Sequence, residues 1–195
     1  MKHIRLASLF LVAGALNGCA ALGITPASPY GLAFAGVDRA ATEDVSAAAL
    51  PSAREEGATD DAFSFRVSAS ADRLSVVVVN RTDVPARILW EDASYVDTDG
   101  STSHVMRQST RFAEQGAAQS PSVVPAGGTV EERVIPASLI RFRAATFGGW
   151  DPAWLLSDKA AVGQRVGLRI PVEVSGERRE YTAWLVVQPN RLAHR

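Results

Sequence analysis

From Phe63 onward, apolar and polar side chains alternate in short runs. Phe63, Phe65 and Val67 are separated by Ser64, Arg66 and Ser68, the period of two that marks a strand with one buried face. Val76, Val77, Val78 and Val79 are consecutive, which predicts a strand over residues 74–79 covered on both faces. Turn-forming residues follow from Asn80 to Pro85, and the apolar pattern resumes over 86–96 with Ile88, Trp90 and Tyr95. Asp97, Thr98, Asp99 and Gly100 read as a hairpin turn into a strand over 103–107. Val123 and Val124, a turn over 125–128 and an apolar run over 130–135 continue the series. Residues 166–174, a turn at Ser175, Gly176 and Glu177, and residues 181–187 close it. Pro171 interrupts an otherwise good strand, which predicts an edge or a bulge.

Seven or eight short strands without a sustained helical stripe predict an all-β fold. The expected architecture is an antiparallel β-sandwich, immunoglobulin-like, with a small β-barrel as the alternative. One segment departs from the pattern, residues 138–162. There Asp151 is placed to cap a short helix opening at Pro152, with Trp150 and Trp154 near one face.

The first 62 residues have a different texture. Lys2 and Arg5 precede an apolar run over 6–16, too short for a permanent membrane span. The run ends in Leu16-Asn17-Gly18-Cys19, which resembles the lipobox of bacterial lipoproteins. That resemblance covers only the export signal. It implies cleavage before Cys19, diacylglycerol on the thiol and a further acyl chain on the new amine. At roughly 0.8 kcal/mol per buried methylene, two chains anchor a protein stably. In that family's sorting pattern, Ala20 in place of aspartate after the cysteine implies the outer membrane if the source is Gram-negative; the expected orientation is toward the periplasm. The remainder is broadly similar to small bacterial lipoproteins built on such sandwiches.

Residues 20–62 are dominated by small residues, proline and acids, with seven acidic and two basic side chains. The predicted organisation is a signal peptide over 1–18, lipidated Cys19 with an acidic tether to residue 62, and a β-domain over 63–195. Thr42 is placed to cap a short helix ending at Pro51. Tyr30, Leu32 and Phe34 are the tether residues apolar enough to dock on the domain instead.

Composition narrows the functional classes. The formal net charge of -1 gives no basic field for nucleic acid, and a single cysteine excludes a disulfide framework or a Cys-rich metal site. No metal or cofactor is expected. Asp97, Asp99 and Gly100 resemble the opening of a calcium loop, but no carboxylate follows at the required spacing, so the turn is preferred. His104 lies near Ser101, Ser103, Asp97 and Asp99, yet neighbours in one hairpin do not easily supply triad geometry. Glu131 and Glu132 are adjacent on a strand and point to opposite faces. Asn80-Arg81-Thr82 matches a glycosylation acceptor and is read as a turn. Gly127-Gly128 and Gly148-Gly149 lack the context of a phosphate loop.

The residues left for recognition are Arg141, Arg143, Phe147, Trp150 and Trp154, in the least regular segment. Tryptophan and arginine dominate binding hot spots. These five are the candidate contact, and the expected role is non-catalytic. The protein would be an accessory module held to the membrane by lipid and binding another envelope component, with a small-ligand or glycan-binding module as the alternative and an envelope hydrolase as the least favoured reading.

Overall fold

The computed structural model describes residues 30–39, 58–114, 116–144, 148–157 and 159–189. The strands among them are β1 (Tyr30–Arg39), β2 (Ala58–Thr59), β3 (Phe63–Ala69), β4 (Leu74–Asn80), β5 (Ala86–Ile88) and β6 (Ser94–Val96). Then come β7 (Thr102–Arg107), β8 (Ser122–Val124), β9 (Thr129–Pro136), β10 (Ile140–Arg143), β11 (Gly149–Pro152), β12 (Arg165–Val174) and β13 (Glu177–Pro189). Eleven of them form one sheet in the order β1-β13-β12-β6-β7-β9-β4-β3-β2, with β5 beside β12 and β8 beside β5. Its pairings are antiparallel throughout. Strand β1 also packs against β3, so the sheet curls until its two ends almost meet. The fold is all-β and antiparallel, a sheet folded over one core and nearly closed as a barrel.

Alternation fills that core. Phe63, Phe65 and Val67 point inward from β3. Tyr181, Ala183, Leu185 and Val187 do so from β13. The valine run of β4 alternates too: Leu74, Val76 and Val78 are buried, while Val77 and Val79 are only half-buried on the outer face. The expected two-sided cover is therefore absent, and β-branching rather than burial suits the outer valines to a strand. Residues 86–96 are not one strand. A 3-10 turn over Trp90–Asp92 separates β5 from β6, and Trp90 is fully buried at that break.

That break accounts for Pro171. Strand β12 is central, with β13 on one side and both β5 and β6 on the other. β6 pairs Gly167 to Arg169 and β5 pairs Val172 to Val174, so Pro171 falls between the two ladders. Its carbonyl accepts from Leu89 N at 2.9 Å. The missing N–H lies at an interruption inside the sheet, not at an edge or a bulge.

Composition placed residues 30–39 in the tether, but they belong to the domain. Tyr30 pairs with Pro189 and Arg39 with Tyr181, with a register shift between Phe34 and Gly36. Gly36 of this linker-like stretch is favoured by its backbone, with φ 149°, and a Cβ there would meet open space. Gly36 and Gly167 flank Trp184 in register on the two neighbouring strands. A Cβ on Gly167 would lie 2.9 Å from the indole, closer than packing allows. The indole Nε1 donates to Asp38 Oδ2 at 2.7 Å, and Arg165 lies 5.5 Å from the ring centroid. Strand β2 extends the domain further, to Ala58. Residues 42–51, where a capped helix is expected, lie outside the described residues.

Antiparallel pairing gives the barrel two distinct ends. One carries the Ser175–Gly176 turn, the starts of β3 and β9, and the ends of β1 and β4, and it is pinned by buried polar groups. Asn80, fully buried, donates from Nδ2 to the carbonyls of Val84, Val124 and Pro125 at 2.7, 3.2 and 3.1 Å. Its Oδ1 accepts from Thr82 N and Oγ1. Nearby, Asp60 Oδ1 accepts from Ala62 N and Phe63 N, and Oδ2 accepts from the Tyr181 hydroxyl at 2.8 Å. Arg39 of β1 faces Asp60 and Glu177.

The buried polar groups at the two ends make measurable contributions to stability. Asn80→Ala strands three carbonyls and the Thr82 amide, and should lower unfolding free energy by about 3 kcal/mol in urea titration. A second contribution concerns alkaline pH. Burial raises the Tyr95 and Tyr181 hydroxyls above their ordinary pKa, and the Asp60 carboxylate raises Tyr181 further. Both stay protonated when folded but ionise near pH 10 when unfolded. Their contribution is therefore intact below pH 10 and lost as pH rises beyond it. The urea midpoint should fall between about pH 10 and 11, less steeply in Tyr181→Phe.

Candidate functional site

The opposite end of the barrel holds the starts of β1, β12 and β4, the turn at residues 97–100 and the end of β9. From here the chain leaves the main sheet. After Pro136 it makes a 3-10 turn over Ala137–Leu139, runs out along β10 and returns along β11. The register is Ile140 to Pro152, Arg141 to Asp151, Phe142 to Trp150 and Arg143 to Gly149. With a side-chain period of two, that register sorts the ribbon into two faces. Ile140, Phe142, Trp150 and Pro152 share one; Arg141, Arg143 and Asp151 share the other.

The apolar face divides along its length. Ile140 is buried against Met106 and Ile135 from the outer faces of β7 and β9, with Phe112 beside them. Further out, Phe142 is 58% and Trp150 39% exposed, meeting edge to face with ring centroids 5.4 Å apart. Neither strand packs substantially against any element but its partner. The ribbon is firmly rooted nonetheless. Ala153 N donates to Leu139 O at 2.8 Å, and Leu155 N donates to Ala71 O at 2.8 Å. Leu155 and Leu156 then enter the core, and the Tyr95 hydroxyl donates to Leu155 O at 3.1 Å.

The helix expected at Asp151 and Pro152 is not formed. Both residues lie in β11, where the Asp151 carboxylate pairs with Arg143 across the ribbon instead of capping an N-terminus. Proline is tolerated because a two-stranded ribbon consists only of edges. The tryptophans consequently part company: Trp150 is on the ribbon, and half-buried Trp154 is on the crossing that follows it. Arg141 and Arg143 are both exposed on the ribbon. Phe147 and Cys19 lie outside the described residues. Of the five predicted contacts, the ribbon therefore unites Arg141, Arg143 and Trp150, and adds Phe142, which its place between two arginines had hidden.

The other candidates resolve locally. Asp97 Oδ1 accepts from Thr98 N and Asp99 Oδ1 from Ser101 N, so both carboxylates shape the turn that Gly100 completes with φ 84°. The Ser101 hydrogen bonds hold the Asp99 carboxyl below its ordinary range. Ser103 accepts from the Ser138 hydroxyl at 3.0 Å, while His104 is exposed opposite Ser94 on β6. Glu131 and Glu132 do point to opposite faces: Ser75 donates to the first and Ser122 to the second.

One polar network was invisible in the sequence. The Ser122 hydroxyl donates to Glu132 Oε1 at 2.6 Å and accepts from Trp90 Nε1 at 2.9 Å and Arg107 Nη1 at 3.3 Å. Gln119 Nε2 donates to Val105 O at 2.6 Å, and its Oε1 accepts from Arg107 N. These residues are scattered from 90 to 132, and no spacing rule joins them. The network fastens β8 over the buried Trp90, a structural task that satisfies the indole N–H.

Comparison with protein-family models, curated proteins and solved structures finds no match. The site must be read from its own geometry.

The division along the ribbon predicts how its residues contribute to stability. Ile140→Ala should cost about 2–4 kcal/mol, as buried large-to-small changes do. Phe142→Ala and Trp150→Ala should each cost less than about 1 kcal/mol, their area being largely solvated and the ring pair modest. Urea unfolding of the three variants measures both.

Proposed function

We propose that the protein is a lipid-anchored, non-catalytic module of the bacterial envelope. In this reading it is fixed through Cys19 to the outer membrane on the periplasmic side, and ribbon β10–β11 engages another envelope component. The observation that carries the reading is the exposed Phe142–Trp150 pair on an element that contributes little to the core. Folding does not require those rings outside, and aromatic residues with arginine are what binding surfaces concentrate. Their rigid root supports the same reading, because a preorganised contact loses less entropy on binding. The basic start, apolar run and Leu16-Asn17-Gly18-Cys19 of the chain support the anchor.

Cys19→Ala tests the anchor directly. Expressed in a Gram-negative host fed labelled palmitate, the wild type should carry label and sediment with the outer membrane. The variant should lose the label and leave that fraction. Label retained by the variant would refute lipidation at Cys19.

A further inference from the structure

We propose that the component met by the β10–β11 ribbon is the lipid surface itself, with Phe142 and Trp150 seated at the boundary between headgroups and acyl chains. The inference rests on the lipid-anchor reading and deepens it, and three observations carry it.

The first is placement. Tyr30 pairs with Pro189, the last residue of β13, and Arg165 at the start of β12 pairs with Val186. Strand β12 meets β6 with Gly167 against Val96, and β6 turns into β7 with Val96 against Thr102. β9 runs back along β7 with Arg107 against Val134 and Val105 against Pro136, ending toward this same end. The ribbon leaves directly after Pro136, and Ser138 touches Ser103 of β7. The start of β1 and the root of the ribbon thus share one end of the barrel.

The second is reach. Ten residues lie between Cys19 and Tyr30. Even fully extended they span at most about 40 Å, and as a flexible coil about 20 Å. With β1 docked in the sheet, the tether is a fraction of what the composition suggested. A domain held this closely presents to the bilayer the end from which it is tethered, and the ribbon is at that end.

The third is chemistry. The ribbon has aromatic rings on one face and guanidinium groups on the other. Tryptophan is favoured at the membrane interface, where one edge is apolar and the N–H is wet. With the rings toward the acyl chains, Arg141 and Arg143 sit at the level of lipid phosphates, which a guanidinium binds in bidentate fashion. Asp151 offsets one of the two charges, so the ribbon attracts anionic lipid without needing it. A protein groove would accept the same rings, but nothing in that alternative accounts for their lying at the tethered end.

The test uses the full chain expressed with its signal, purified in detergent from membranes and reconstituted into phosphatidylethanolamine–phosphatidylglycerol vesicles. A fraction of the lipids carries bromine on the acyl chains, and intact-protein mass gives the lipidation state of each preparation. Bromolipid should quench part of the wild-type tryptophan emission, and Trp150→Phe should lose most of that quenched part. Trp90, fully buried, should remain unquenched in both. Phe142→Ser should reduce quenching of Trp150 by lifting the ribbon from the boundary. Quenching identical in wild type and Trp150→Phe would overturn the proposal. So would a photo-reactive residue at position 142 that, in intact cells, joins one protein in high yield and no lipid. The anchor is judged separately: a lipidated protein with unquenched Trp150 keeps the anchor and loses the ribbon contact. An unlipidated protein that floats with vesicles, with Trp150 quenched, does the reverse.

Discussion

A strand inside a sheet has to satisfy its backbone on both edges, and β13 does so along most of its length. Residues from Tyr181 to Pro189 pair with β1 on one side, and residues from Glu177 to Val186 pair with β12 on the other. Once both ladders are in register, the pleat leaves no choice of face. Tyr181, Ala183, Leu185 and Val187 enter the core, while Thr182, Trp184 and Val186 face out. A slip of one residue would expose the first set and bury the tryptophan. Gly167 works against such a slip, because only that register puts a residue without a Cβ beneath the ring. The turn joining β12 to β13 assists: Ser175 and Gly176 both have positive φ, at 51° and 79°, the conformation that matches the twist of a two-residue hairpin.

The two ends of the barrel solve the same problem by opposite means. Each must cover the last layer of apolar side chains where the strands stop. At one end polar side chains fold inward and are fully engaged, Asn80 with five hydrogen bonds and Asp60 with Tyr181 and the chain start of β3. At the other, an apolar crossing led by Leu155 and Leu156 acts as the lid, and the ribbon is the loop of chain between the sheet and that lid. Division of labour follows: one end is fixed by hydrogen bonds that tolerate little change, and the other carries an outgrowth whose outer half the core does not constrain.

Much of the sheet was legible in the sequence because a half-buried strand writes its own period. Residues 63–68, 103–107, 130–135 and 181–187 all fall inside observed strands, and the turns at 97–100 and 125–128 are where glycine and aspartate put them. What escaped was set by partners distant in the chain. The apolar Tyr30, Leu32 and Phe34 hinted that β1 docks, but its partner is β13, some 150 residues away, and the small residues around it read as linker. Asp151 and Pro152 carry a good helix start, and pairing with residues 140–141 overrides it. The candidate site was half legible: composition located the segment and three of its exposed side chains. Which rings shared a face, and that Trp154 stood apart, depended on a register visible only in three dimensions.

The burial of Asn80 has a consequence for how the protein can be made. Asn80-Arg81-Thr82 satisfies the rule by which eukaryotic secretory pathways choose asparagines for glycans. That choice is made on the nascent chain, before an amide such as this one has closed over three carbonyls. A sugar attached there would occupy the nitrogen that holds the β4–β5 connection to the β8–β9 turn, and the barrel could not shut. The fold is thus compatible with compartments that leave the triplet untouched, and a host that decorates it would accumulate chains unable to complete their polar end.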